Sequence, residues 1–222
     1  MSTCGDVMLK VCGVTRQEDA DAVRAIGASL IGFIFHPASR RNVTPEQVRA
    51  IETHRLMRVG VFVDQSPDEI LRIMDKAGLH LAQLHGDQDA AFCKKVGRNR
   101  VMRAFWPERY PTREALETDL HRYEDCSRFF LFDAGASGGG HGRSFDASLL
   151  KGLCSLKTWF LAGGLGPHNI CEAVCNCDPC GVDLSSGVEA SPGIKDHAKL
   201  TALRSALDGL MRNPNQSCCG EL

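Results

Sequence analysis

The stretch LIGFIFHPASRRNVTPEQVRAIETHRLMRVGVFV, residues 30–63, decides the fold. It opens with LIGFIF at 30–35 and closes with VGVFV at 59–63. Runs that are apolar on both faces read as strands of a parallel sheet covered on both sides. Between them, Thr44 stands three residues before Gln47, the spacing of a capping box that satisfies free N–H groups at a helix start. Pro45 takes the first helical position, where a missing N–H costs least. Val48 and Ile51 then recur at helical spacing. The whole reads as strand, helix, strand.

The same alternation extends in both directions. Apolar runs recur at 8–12, 81–84, 101–105, 129–132, 158–162 and 182–184. Thr15 precedes Glu18 by three residues, and Ser66 precedes Glu69 with Pro67 between them, so two more capping boxes are expected. Ala22, Val23 and Ile26 share a helical stripe, as do Ile70, Ile73, Met74 and Ala77. Gly27 and Gly78 fall where a helix end wants a left-handed residue. In 195–211 a further stripe is formed by Leu200, Leu203, Leu207 and Leu210. Eight strand-plus-helix units without a composition break predict a single closed (β/α)8 barrel over residues 1–212, rather than an open doubly wound sheet. The polar, Pro-bearing end NPNQSCCGEL, 213–222, is expected to be a fraying tail.

Composition narrows the function classes. The 222 residues are 43% hydrophobic and 24% charged, ordinary for a globular protein. Lys+Arg is 26 against Asp+Glu 27, so no strongly basic surface marks a dedicated nucleic-acid binder. No apolar run reaches the roughly 18 residues of a membrane span, and the short polar start carries no signal-peptide stretch. A cytoplasmic protein is expected, and 11 cysteines there read mostly as reduced thiols. Four of them, Cys171, Cys175, Cys177 and Cys180, cluster without the paired spacing of a zinc ribbon. Cys171 and Cys175 would share a helix face, with Cys177 and Cys180 following in a loop.

In a barrel of this kind functional residues gather at the C-terminal strand ends. Cys12 lies at the first such end and reads either as a base or nucleophile, given a lowered pKa, or as a packed cysteine. Asp133 follows the 129–132 run and either faces the barrel mouth or caps a loop. His85 ends the fourth run, and Arg41 lies in the loop after the second, where a guanidinium can pair with a carboxylate. AGGLGP at 162–167 and VDLSSGVE at 182–189 are Gly- and Ser-rich turns after the last two runs. That is the common place for a phosphate site, and two ordinary turns are the alternative. The glycine-rich connection 135–142, GASGGGHG, suits a lid or a plain connector.

Taken together, KVCGVT (10–15), IGFIF (31–35), VGVFVD (59–64), QLHG (83–86), FDA (132–134), GGGHGRSFD (138–146), LAGGLGPHN (161–169), VDLSSGVE (182–189) and PGIKD (192–196) carry a resemblance. In order and spacing they resemble the phosphoribosylanthranilate isomerase family, over residues 9–207. The resemblance implies a (β/α)8 barrel without metal or organic cofactor. It implies conversion of N-(5-phosphoribosyl)anthranilate to 1-(2-carboxyphenylamino)-1-deoxyribulose 5-phosphate, an Amadori rearrangement in tryptophan biosynthesis. By the same resemblance Cys12 is the general base and Asp133 the general acid. Arg41 would hold the anthranilate carboxylate, while His85 and Asp183 line the pocket. Backbone N–H groups near Gly164, Ser185, Ser186 and Gly187 would bind the phosphate of a small phosphoribosyl substrate. The sequence departs from the family pattern at His141, where a Thr is usual, and at Gly166, where an Asn is usual. A monomer or homodimer without nucleic-acid or membrane partner is expected. Two other readings are a different phosphoribosyl-sugar barrel isomerase, such as the histidine-pathway enzyme with its paired aspartates, and a non-enzymatic thiol or metal-binding protein built on the 171–180 cysteines.

Overall fold

The structure, a computed structural model, describes residues 7–134, 149–150, 153 and 157–212. Its strands are β1 (Met8–Val11), β2 (Leu30–Ile34), β3 (Met57–Phe62), β4 (Leu81–Leu84), β5 (Val101–Phe105), β6 (Phe129–Asp133), β7 (Trp159–Ala162) and β8 (Gly181–Leu184). All eight pair in parallel in chain order, and β8 returns to β1, so the sheet closes into a barrel as the alternation predicts. The helices α1 (Gln17–Ala25), α2 (Pro45–Ala50), α3 (Pro67–Ala77), α4 (Ala90–Val96), α5 (Arg113–Tyr123), α6 (Ile170–Cys177) and α7 (His197–Arg212) connect or follow the strands. The expected tail at 213–222 and the connection 135–142 lie outside the described residues.

The core has two shells because strand side chains alternate between faces. Leu30, Val59, Leu81, Met102, Leu131 and Phe160 fill the barrel interior. Leu9, Ile31, Phe62, Val101, Phe132 and Val182 face outward and pack with helix residues such as Val23, Val48, Ile70 and Leu203. The same alternation sends Lys10 and Cys12 of the first strand segment to the inside, one above the other.

Local signals act largely as read. The Thr44 side chain accepts from the Gln47 N–H while the Gln47 side chain accepts from the Thr44 N–H, a complete capping box. Ser66 accepts from the Glu69 N–H at the start of α3. Gly27 and Gly78 adopt φ of 72° and 66°. The Thr15–Glu18 box does not form. Arg16 occupies the cap position of α1 with no side-chain hydrogen bond, because the Thr15 hydroxyl donates instead to the Gly193 carbonyl at 2.7 Å. The last helix starts at His197, two residues later than its apolar stripe suggested, because Ile194–Lys195 is a strand, β10, paired antiparallel with β9 (Glu189–Ser191). This hairpin after β8 was not expected from the sequence, and it builds part of the site.

Candidate active site

One corner of the barrel mouth is made by the β1–β8 seam. Lys10 and Asp183 are register partners across it, and Lys10 Nζ meets Asp183 Oδ2 at 2.7 Å with both side chains buried. Cys12 lies just past β1, 5% exposed, with its N–H donating to the Leu184 carbonyl at 2.7 Å. Its sulfur rests against β2 where Gly32 has no side chain; a Cβ there would come within 2.7 Å of Cys12 Sγ. Burial pushes the Cys12 thiol up, and the Lys10 and Lys195 ammoniums offset only part of that rise. Burial works to lower Lys10, but Asp183 and Cys12 outweigh it and hold the ammonium above its ordinary range.

The hairpin ties a second set of charges to the same corner. Lys195, fully buried, donates from Nζ to the Cys12 carbonyl (2.6 Å), to Glu189 Oε1 (2.9 Å) and to the Ser185 carbonyl (3.3 Å). Glu189 takes the guanidinium of Arg41 bidentately, Nε at 2.8 Å and Nη2 at 2.6 Å. The Nη1 edge of Arg41 is the one not committed to Glu189. Gly13 makes this approach possible: a Cβ there would lie 2.6 Å from Arg41 Cδ and 3.3 Å from Ser185 Oγ, and its φ of +75° is one that side chains resist. Burial pushes Glu189 up, but Arg41, Lys195 and the Gly193 N–H more than offset it and hold the carboxyl below its usual range. Burial pushes Lys195 down.

Across the mouth, Asp133 ends β6 and its Oδ2 lies 3.4 Å from His85 Nε2. His85 Nδ1 is 3.3 Å from Gln83 Nε2, and its ring meets Trp106 edge-on at 5.2 Å. The Arg109 guanidinium covers the same indole at 4.1 Å. Both carboxyl-bearing sides communicate, since Asp183 feels the charges of Lys10, Asp133 and His85 and acts on Cys12. Burial is the largest influence on Asp183 and pushes it up against the pull of Lys10.

The third corner is backbone. Gly163 and Gly164 follow β7 with φ of 107° and 64°. Asn169 ties this turn by accepting from the Gly166 N–H (2.8 Å) and donating to the Gly164 carbonyl (3.2 Å). After β8, Ser185 leads into a single turn, Ser186–Val188. Gly187 packs directly on the Leu165 carbonyl and Gly166, so the two loops abut with no side chain between them. Gly164 and Ser186 are exposed there.

The structure therefore groups Cys12, Asp183, Arg41 and Ser185 around the seam, Asp133 with His85 opposite, and Gly164 beside Ser186 and Gly187 on one edge. Lys10, Glu189 and Lys195 complete the seam and were not singled out from the sequence. The available signal was spacing: Lys10 is two residues before Cys12 and must share its face.

Residues 9–206 match the family described as N-(5'phosphoribosyl)anthranilate (PRA) isomerase. The chain belongs to the phosphoribosylanthranilate isomerase family. It is 48% identical over 196 residues to the N-(5'-phosphoribosyl)anthranilate isomerase of Desulfovibrio desulfuricans, an alignment covering 88% of this chain and 93% of the relative. The crystal structure of the Thermotoga maritima phosphoribosyl anthranilate isomerase superposes with a TM-score of 0.81 at 35% identity, covering 92% of this chain and all of that one. A second crystal structure, a phosphoribosyl anthranilate isomerase in complex with reduced 1-(o-carboxyphenylamino)-1-deoxyribulose 5-phosphate, matches with a TM-score of 0.75, 32% identity and the same coverage.

Against this isomerase assignment the thiol or metal-binding reading has little to stand on. Cys171 and Cys175 lie on α6, half-buried and exposed. Cys177 is the last residue of that helix rather than part of a loop, and it is buried, which pushes its thiol up to about 11. Cys180 precedes β8. Among the described residues no group of three or more His, Cys, Asp or Glu side chains is arranged to hold a metal ion. Among them, too, no helix is long and apolar enough to cross a membrane.

Proposed function

We propose that this chain isomerises N-(5-phosphoribosyl)anthranilate to 1-(2-carboxyphenylamino)-1-deoxyribulose 5-phosphate, with Asp133 as general acid and Cys12 as general base. Family membership over residues 9–206 carries the reaction, and the opposed placement of a thiol and a carboxyl across one barrel mouth supports the two roles. Asp133 gives its proton to the ribose ring oxygen as the bond from that oxygen to C1′ breaks, leaving a Schiff base at C1′. The Schiff base makes the C2′ proton acidic. Cys12, as thiolate, takes that proton, and the C–H electron pair becomes the C1′–C2′ double bond while the iminium nitrogen recovers its own pair. The enolamine then loses the proton of its C2′ hydroxyl as C1′ gains one, and becomes the ketone. Proton transfer of this kind contributes on the order of 10² to 10⁴-fold.

The other named residues position the substrate. The free edge of Arg41 donates to the anthranilate carboxylate, and His85 and Asp183 line the pocket. N–H groups around Gly164, Ser185, Ser186 and Gly187 hold the phosphate, which supplies binding energy away from the reacting carbons. The enzyme works in the cytoplasm as a monomer or homodimer and uses no cofactor. A Cys12-containing site distinguishes this reading from the histidine-pathway isomerase and its paired aspartates.

The test is loss of phosphoribosylanthranilate fluorescence with substrate generated in situ. Wild type is expected to turn over, while Cys12→Ser and Asp133→Asn lose turnover yet still bind a product analogue. Turnover surviving in either variant would remove that residue's role. An inactive, folded wild type would sink the reaction.

A further inference from the structure

Lys10 is an expensive residue in its place. A fully buried ammonium inside a barrel costs several kcal/mol of desolvation unless partners repay it. Asp183 at 2.7 Å repays one hydrogen bond. A second neighbour is Cys12, two residues along the chain and on the same interior face, so the ammonium and the thiol act on one another. A barrel built only for stability would place an aliphatic side chain here, as Leu30 on β2, Leu81 on β4 and Leu131 on β6 show for interior positions.

We propose that Lys10 is a positioning residue for the reaction: anchored from across the seam by Asp183, its ammonium shares the interior face of Cys12 and supplies positive charge that favours the thiolate when the base is called on. The role rests on the reading of Cys12 as the base. The geometry fits it in two further respects. Gly32 leaves room for the sulfur on the β2 side, so the thiolate is not displaced from its partner. The second nearby cation, Lys195, spends its three donors on the Cys12 carbonyl, Glu189 and the Ser185 carbonyl, which leaves Lys10 as the ammonium on the sulfur's side of the seam whose donors are not all committed to backbone and Glu189. The charged groups facing Cys12 are thus Lys10 from β1, Asp183 from β8, Lys195 from β10 and Arg41 from the loop after β2, with Glu189 of β9 between the last two. Asp133 and His85 act from β6 and β4 through Asp183.

The experiment titrates the thiolate itself. Ultraviolet absorbance near 240 nm is followed against pH for wild type and for Lys10→Met, each as a difference from the same protein carrying Cys12→Ser. An opposite charge at this range is worth about 1–3 pH units, so the Cys12 midpoint should rise by at least about one unit in Lys10→Met. The rising limb of kcat/KM against pH should move by the same amount, and Lys10→Arg should recover most of the shift. Lys10→Met leaves Asp183 buried without its cation and can fail to fold. The double variant Lys10→Met with Asp183→Asn removes both charges and is compared with Asp183→Asn alone, because Asp183 itself pushes the Cys12 thiol up and the Lys10 contribution is the difference between the two. A thiol midpoint and a rate limb that do not move in either Lys10 variant, with turnover still dependent on Cys12, would overturn the role of Lys10 alone. Turnover that persists in Cys12→Ser would overturn the base assignment and the role built on it.

Discussion

Replacing Glu189 by Gln tests whether the hairpin carboxylate is what holds the mouth together. The substitution keeps the shape and one acceptor oxygen but removes the charge. Two cations then lose their counter-charge, Lys195 with a side chain 0% exposed and Arg41 with one 23% exposed. Removing one partner of a buried ion pair costs about 3–5 kcal/mol. The retained amide oxygen and the partial exposure of Arg41 put the expected loss near the bottom of that range, about 3 kcal/mol. For a chain of 150–250 residues each 1 kcal/mol moves Tm by about 2–4 °C, so the melting point should fall by about 6–12 °C at pH 7. The assay is calorimetry or circular dichroism, repeated down a pH series. Glu189 is held below its unfolded value, which is about 4.3. Its contribution is therefore complete above that pH and disappears as the pH falls through the lower folded value. The gap between wild type and Glu189→Gln should be widest near neutrality and close below about pH 4. A Tm loss under about 2 °C at pH 7, or a gap that does not close in acid, would refute the claim that this carboxylate neutralises two cations.

Two glycines give sharper, local outcomes. Gly32→Ala puts a Cβ 2.7 Å from Cys12 Sγ and 3.0 Å from its Cα, so either strand shifts. Overpacking of this kind costs about 1–3 kcal/mol. Misplacing Cys12, the proposed base, by about 1 Å should cut kcat by on the order of 10²-fold with KM little changed, read by the fluorescence assay. Gly187→Ala drives a Cβ into the Leu165 carbonyl and must part the two loops that follow β7 and β8. On the proposed phosphate site it should raise KM and the Kd for inorganic phosphate by at least about tenfold, measured by calorimetric titration, because losing a set of charge-assisted N–H bonds costs about 1.4 kcal/mol or more.

How much of this was legible beforehand depends on which physical signal each feature leaves. Period and apolar runs leave strong ones, so all eight strands of the barrel and the caps at Thr44 and Ser66 could be read directly. The Thr15 cap failed because a local rule met a tertiary competitor: the Gly193 carbonyl, 178 residues away, claims the hydroxyl. The hairpin 189–195 was missed because its strands are short and carry Glu189 and Lys195, which resemble surface residues until their partners are in place. Lys10 was passed over for the same reason. A lysine in a strand reads as solvated, and only its shared face with Cys12 argues otherwise. Arg41 was found, but as a group waiting for a substrate carboxylate; its pairing with Glu189 belongs to a contact 148 residues apart.

The seam where β8 meets β1 has a consequence for how activity is acquired. The bonds that assemble the Cys12 corner join residues 173 and 183 positions apart in the chain. Such contacts are the slowest for a chain to reach, since the ordering of everything between them precedes the reward. Alongside them, Asp19 of α1 accepts from the Lys195 N–H and meets His197 Nε2 at 3.0 Å, so the same closure fastens the first helix to the last. A chain caught with seven strands in place holds Asp133, His85 and the β7 turn, but its thiol has neither Asp183 beneath it nor the hairpin over it. If the proposed roles of Cys12 and Lys10 hold, competence arrives all at once with the last strand, and a nascent or partly opened barrel is expected to be silent rather than slow.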